Sequence, residues 1–224
     1  MKKIVTLLIL AISSSVFSQR MIENNVGDFH KIKVFDLIEV NLIQSDEDKI
    51  IIKGLNVDDI KWTNNDGVLK LRMQLDKKFT GEDTFIEVYY KDIDVIDGNE
   101  GAKIVCNELI EQNRIELRTQ EGARIIAGLD VEYAEMRAVT GGILEVSGLA
   151  ENQTVTLNTG GIFDGRELKT MASEVKISAG GEAEVYASES IDVNVKAGGD
   201  VDIFGNPKKV RKKTLVGGSI RVRN

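Results

Sequence analysis

Seven pairs of small residues recur through the second half of this 224-residue chain at a nearly constant interval. They are Gly101-Ala102, Gly122-Ala123, Gly141-Gly142, Gly160-Gly161, Gly180-Gly181, Gly198-Gly199 and Gly217-Gly218, separated by 21, 19, 19, 20, 18 and 19 residues. A fixed period of that length marks a stack of like supersecondary units. With the second member of each pair as origin, the residues two positions on are Ile104, Ile125, Leu144, Phe163, Ala183, Val201 and Ile220. Four positions on stand Cys106, Ala127, Val146, Gly165, Val185, Ile203 and Val222. Both columns are apolar or small. The position between them holds Glu145, Asp164, Glu184, Asp202 and Arg221 in the last five repeats. That alternation describes a strand with one buried and one wetted face.

The residues ahead of each pair repeat the pattern. Leu117, Met136, Val155, Val175, Val193 and Lys212 form one column, and Thr119, Ala138, Leu157, Ile177, Val195 and Thr214 another. Between them run Arg118, Arg137, Thr156, Lys176, Asn194 and Lys213. Each repeat is thus expected to be two short strands meeting at a glycine corner, joined to the next by a polar link such as Leu149–Gln153. One such unit cannot bury its own apolar face, so the units must stack. The expected fold is all-β, a parallel β-helix of about 19-residue coils. A β-sandwich is the second choice, because sandwiches seldom repeat column by column.

The N-terminus has the pattern of a cleavable signal. Lys2 and Lys3 precede an apolar run from Ile4 to Ile12, followed by small and polar residues to Ser18. The run is too short for a spanning helix, which needs about 20 apolar residues. The expected organisation is a signal peptide over residues 1–18, a β-rich segment over 19–97 packed on or continuous with the solenoid, and the repetitive β-helix over 98–224. In the middle segment Ile32 and Val34 alternate with lysines, Leu69, Leu71 and Met73 alternate with Lys70 and Arg72, and Asp66-Gly67 signals a tight hairpin. Val57 to Lys61 reads as a helical turn.

Charge and composition exclude several functions. Loss of Lys2 and Lys3 with the signal takes the formal net charge from −7 to −9. That opposes nucleic-acid binding, which rests on phosphate neutralisation by Lys and Arg. Cys106 is the single cysteine and His30 the single histidine, so disulfides within the chain, histidine-rich metal sites and nucleophilic triads are not expected. Phosphate-cradling glycine loops open helices, whereas each pair here is followed by an alternating strand. The calcium β-roll motif is not matched, since Gly198-Gly199-Asp200-Val201-Asp202 does not recur.

Two charged features stand out. The acidic ladder Glu145, Asp164, Glu184, Asp202 reads first as a solvated face, with weak Ca²⁺ binding as the alternative. The basic run Lys208 to Lys213 reads as a solvated link that guards an edge. Aromatics in the repeats are few, namely Tyr133, Phe163, Tyr186 and Phe204, which disfavours an extended sugar-processing groove.

The rungs Thr140-Gly141-Gly142, Thr159-Gly160-Gly161, Ala179-Gly180-Gly181 and Ala197-Gly198-Gly199, with the signal and the β-rich opening, resemble the "putative auto-transporter adhesin, head GIN domain" family of Bacteroidetes, over roughly Phe29 to Val222. The resemblance implies an exported β-helical domain of adhesive type and supplies no catalytic residue. The expectation is a non-enzymatic cell-envelope protein of adhesin-like or scaffolding type, without cofactor, metal or catalytic residues, that is exported to the periplasm, the outer-membrane surface or the medium. It would contact a protein or glycan through its surface and would not span the membrane. Glycan binding or processing is the alternative, and a groove gathering carboxylates, cations and an aromatic would favour it. Open solenoid ends and flat faces also permit homo-oligomers.

Overall fold

The computed structural model describes residues 20–54 and 56–223. The expected signal peptide lies outside the described residues. The chain is a β-solenoid of about seven turns set roughly 19 residues apart. No α-helix is present among the described residues, and no helix there is long and apolar enough to cross a membrane.

Two sheet faces meet at the glycine corner. One is built from strand segments ahead of each corner, such as Glu116–Thr119, Glu135–Val139 and Val175–Ile177, which pair in parallel. The other is built from segments after it, such as Arg124–Ala127, Ile143–Val146 and Gly161–Gly165. The apolar columns of the sequence are register partners here. Ile104, Ile125, Leu144, Phe163, Ala183, Val201 and Ile220 pair in turn along the stack, and all but Ile220 are buried. Phe163 is the one large ring in that column, and its neighbour Gly165 makes the room. A Cβ on Gly165 would stand 2.2 Å from the Phe163 ring.

The polar links are strands rather than loops. Ile143–Asn158 and Arg124–Val139 each run unbroken from corner to corner, and Gly128–Val131 pairs in parallel with Ser147–Ala150. This forms a narrower linking side. The alternation is hidden there because Glu132 and Tyr133 are consecutively exposed where the chain bends. The basic run beyond Lys208 is likewise strand, within Lys209–Val216, laddered to Ser190–Ala197. Backbone ladder bonds do not depend on side-chain polarity, so its charges did not prevent pairing. Lys212 takes the inward register of Val193 and donates to the Ile220 carbonyl at 3.3 Å.

The corners at Glu100-Gly101, Glu121-Gly122, Thr140-Gly141 and Thr159-Gly160 are type I′ turns, whereas at Gly180-Gly181, Gly198-Gly199 and Gly217-Gly218 the positive φ falls on both glycines of the pair. Thr140 and Gly141 have φ of 50° and 73°, and Gly142 N–H donates to the Val139 carbonyl at 3.0 Å. Successive corners also bond to each other, as Gly141 N–H does to the Thr159 carbonyl at 3.1 Å. The two glycines of a pair answer different demands. Gly160 sits at φ 76° with open space where a Cβ would be, so its requirement is conformational. At Gly161 a Cβ would fall 2.1 Å from the Ala138 carbonyl oxygen, so its requirement is close stacking of neighbouring coils.

The opening segment is not one more set of coils. Lys31–Val34 and Glu39–Gln44 form a rung that lies between a rung made later in sequence, Val68–Met73 with Thr84–Tyr90, and the coil starting at Val95–Gly98. Beyond the Val68–Met73 rung the strands turn antiparallel. Ile60–Asn65 pairs with Val68–Met73 through the Asp66-Gly67 hairpin, whose φ values are 51° and 74°. Lys49–Gly54 lies antiparallel between Thr84–Tyr90 and Arg20–Asn25. The helical turn expected at Val57 is a single 3-10 turn, Val57–Asp59.

Gly160→Ala is expected to lower stability by about 1 kcal/mol, the usual cost of a left-handed non-glycine residue. Gly161→Ala is expected to cost more, roughly 2–3 kcal/mol, because two strands must part. Urea midpoints of the two variants check the order.

Candidate functional site

The acidic ladder is real and straight. Glu145, Asp164, Glu184 and Asp202 are consecutive register partners on the face after the corners, and Arg221 is the next. At a strand separation of about 4.8 Å, neighbouring carboxylates repel by roughly 1 kcal/mol in water. Arginines stand at both ends. Arg124 pairs with Glu145, while Arg221 and Arg223 hold Asp202 at 2.7 and 3.0 Å. The hydrogen bond from Arg221 is the main cause that lowers the Asp202 pKa. Among the described residues, no cation lies within 4 Å of Asp164 or Glu184.

Glu182 and Asp200 run beside the ladder, and together these residues edge a groove of about 440 Å³ that also touches Arg221 and Phe163. It gathers carboxylates, a cation and an aromatic, but Phe163 is 1% exposed and offers no ring face to a sugar. The carboxylates are spread along the rungs and do not converge. Among the described residues, no three His, Cys, Asp or Glu side chains come together as a metal would need.

The single nucleophile candidate is inert. Burial pushes the Cys106 thiol up to about 12, so the thiolate is scarce at neutral pH. His30 is exposed on a bend and packs over Gly67.

One pair of carboxyls, a buried aspartate and a half-buried glutamate, escaped the sequence reading. Asp36 and Leu37 form the corner of the first rung with φ of 60° and 63°, and Glu100 is stacked on them through Leu37 N–H donating to its carbonyl at 3.0 Å. Asp36 is fully buried and accepts from Met73 N–H at 3.0 Å. Its other oxygen, Oδ1, and Glu100 Oε2 are both buried without a donor among the described residues. Burial first, then contact with Asp36, raises the Glu100 pKa above the ordinary glutamate value, with Lys78 opposing and Glu121 adding to the shift. A proton on the Glu100 carboxyl would give the two oxygens a hydrogen bond between them. No sequence pattern pointed to it, because Asp36-Leu37 fills a corner without glycine.

The sequence profile of the family described as "Putative auto-transporter adhesin, head GIN domain" matches residues 28–207. Among solved structures, a putative adhesin from Bacteroides fragilis superposes with a TM-score of 0.85 at 17% identity, over 92% of this chain and 98% of that one. A putative adhesin from Parabacteroides merdae gives 0.73 at 16% identity, over 92% and 96%. A putative lipid binding protein from Parabacteroides distasonis gives 0.68 at 17% identity, over 92% and 97%. At such identities the likeness is one of fold. Among curated proteins, none matches.

Two outcomes are expected. The melting temperature should be the same in millimolar Ca²⁺ as in chelator, and a rise of several degrees in Ca²⁺ would establish a cation site on the ladder. The Asp36–Glu100 pair should make stability fall with pH. The folded chain holds the Glu100 proton to higher pH than the unfolded chain, so its contribution is complete below the ordinary glutamate range and is lost as pH rises through the raised value. Glu100→Gln should flatten that slope and give a higher urea midpoint than the parent at pH 8.

Proposed function

The chain belongs to the "putative auto-transporter adhesin, head GIN domain" family, and on that premise we propose that it is an exported, non-enzymatic domain that works by presenting its faces to a ligand at the cell envelope. The observation that carries the reading is the outward side-chain array. Residues such as Glu145, Asp164, Glu184 and Asp202 are held in straight rows at one strand spacing by a single continuous core. A rigid array of that kind suits repeated weak contacts with an extended partner, in which avidity replaces a deep pocket. In this reading residues 1–18 direct export, residues 19–97 close one end of the solenoid, and residues 98–224 carry the repeating faces.

The test is protease digestion of the protein on intact cells of its native host, with a periplasmic protein as control. Digestion from outside is the expected result. Protection until the outer membrane is opened would place the protein in the periplasm and remove the adhesive role.

A further inference from the structure

The face built from the strands ahead of the corners carries the opposite sign to the chain. Its central outward row includes Lys70, Lys33, Arg118, Arg137, Lys176 and Lys213, aligned rung by rung. The interruptions are Asp97, Thr156 and Asn194. Asp97 is nearly buried and is neutralised by Lys33 at 3.4 Å. Lys31 and Arg72 flank the row two residues from Lys33 and Lys70, and Lys61 is the cross-strand partner of Arg72.

Some of these charges are spent locally, as Arg118 on Glu116 and Lys176 on Glu174. Lys31, Lys70, Arg72 and Arg137 have no carboxylate within 4 Å among the described residues. The crowding is felt within the face, because the Lys31 pKa is lowered by burial and then by Arg118 and Lys33. In a chain of net charge −7, like charge gathered along one row costs self-repulsion, which the adjacent column of Glu116, Glu135, Glu174 and Asp192 relieves in part and an anionic partner would relieve further.

The row also has a seat. A depression of about 220 Å³ is lined by Lys33, Arg118 and Arg137 together with the amides of Asn99 and Gln120, and its one carboxylate, the nearly buried Asp97, is paired with Lys33. Cations beside amide donors and acceptors match an acid group on a hydroxylated scaffold. The exposed apolar residues Leu109, Tyr133, Leu149 and Met171 belong to the linking side and its bends, while Leu215 stands two residues beyond Lys213 at the far end of the row. Around Lys33, Arg118 and Arg137 the cations therefore lack the adjacent apolar wedge with which a surface helix or loop enters a lipid headgroup layer.

We propose that this face binds a linear acidic polysaccharide, laid along the cationic row with an acid group seated between Lys33, Arg118 and Arg137. The row is one residue wide and straight, which fits a single extended polyanion better than a duplex or a bilayer. The proposal rests on the surface-interaction reading and names its partner.

The test is isothermal titration of the mature protein with polygalacturonate in low salt, with neutral dextran, anionic phosphatidylglycerol vesicles and single-stranded oligothymidylate as comparison arms. Saturable binding to polygalacturonate, absent with dextran and weakened by added salt, is expected. Lys70→Glu with Arg137→Glu, the first half-buried over the Phe35 ring and the second exposed, should weaken it at least tenfold while the β-sheet circular-dichroism spectrum of the folded chain is retained. Lys70→Gln with Arg137→Gln should give an intermediate loss. Arg124→Glu on the other face should leave it unchanged. No binding, binding indifferent to Lys70 and Arg137, or stronger binding to vesicles or oligothymidylate would overturn the proposal. The titration uses purified protein, so it stands apart from the cell-digestion result, which decides only where the protein works.

Discussion

The structure depends on the close stacking of its corners. A solenoid this narrow must reverse its chain within two residues, and a type I′ turn does so only where φ is positive at both. The corner must then lie directly against the one before it, with backbone hydrogen bonds joining them, as between Gly141 and Thr159. At Gly142 and Gly161 a Cβ would overlap the backbone of the preceding coil. These two demands fix the path of the chain and bring each coil back in register with its neighbour.

Register has consequences on both sides of the sheet. Inward, it stacks Leu117, Met136, Val155, Val175 and Val193 into one continuous core. Outward, it stacks whatever the sequence places there, and like charges stack with like. The protein moderates this by pairing across columns, as Lys176 does with Glu174, and within a column, as Arg211 does with Asp192. The compensation is incomplete at the middle of the acidic ladder and along the Lys70–Arg137 stretch. Exposed pairs contribute little to stability, so the charge pattern matters mainly for what approaches the surface.

The opening segment solves a separate problem. A parallel stack leaves unpaired strand edges at its ends, which invite other chains to add. Here the direction of pairing reverses at one end, so that Lys49–Gly54 and Ile60–Asn65 lie antiparallel over the last parallel rung, with Arg20–Asn25 antiparallel over Lys49–Gly54. At the other end of the described residues Lys212 occupies an inward register with its charge, and a charge in that position opposes further strand addition.

The repeat, the inward columns, the Asp66-Gly67 hairpin and the acidic ladder were legible because each is a local or strictly periodic pattern. The column Arg118, Arg137, Lys176 and Lys213 was visible for the same reason. Its extension to Lys33 and Lys70 was not, because those residues join it only when Lys31–Val34 is inserted between rungs made from later sequence. The strand character of Leu149–Gln153 and Lys209–Val216 was hidden too, since ladder bonds are supplied by neighbouring coils and leave no mark on side-chain alternation. The Asp36–Glu100 pair arises from corner stacking of residues 64 apart in a turn without glycine. The sequence by itself determined the stacking, because period and glycine placement allow no other compact burial of the apolar columns. Only the tertiary structure decided the order of the first rungs, and with it which charges stand side by side, because non-local strand pairing depends on fit between whole edges.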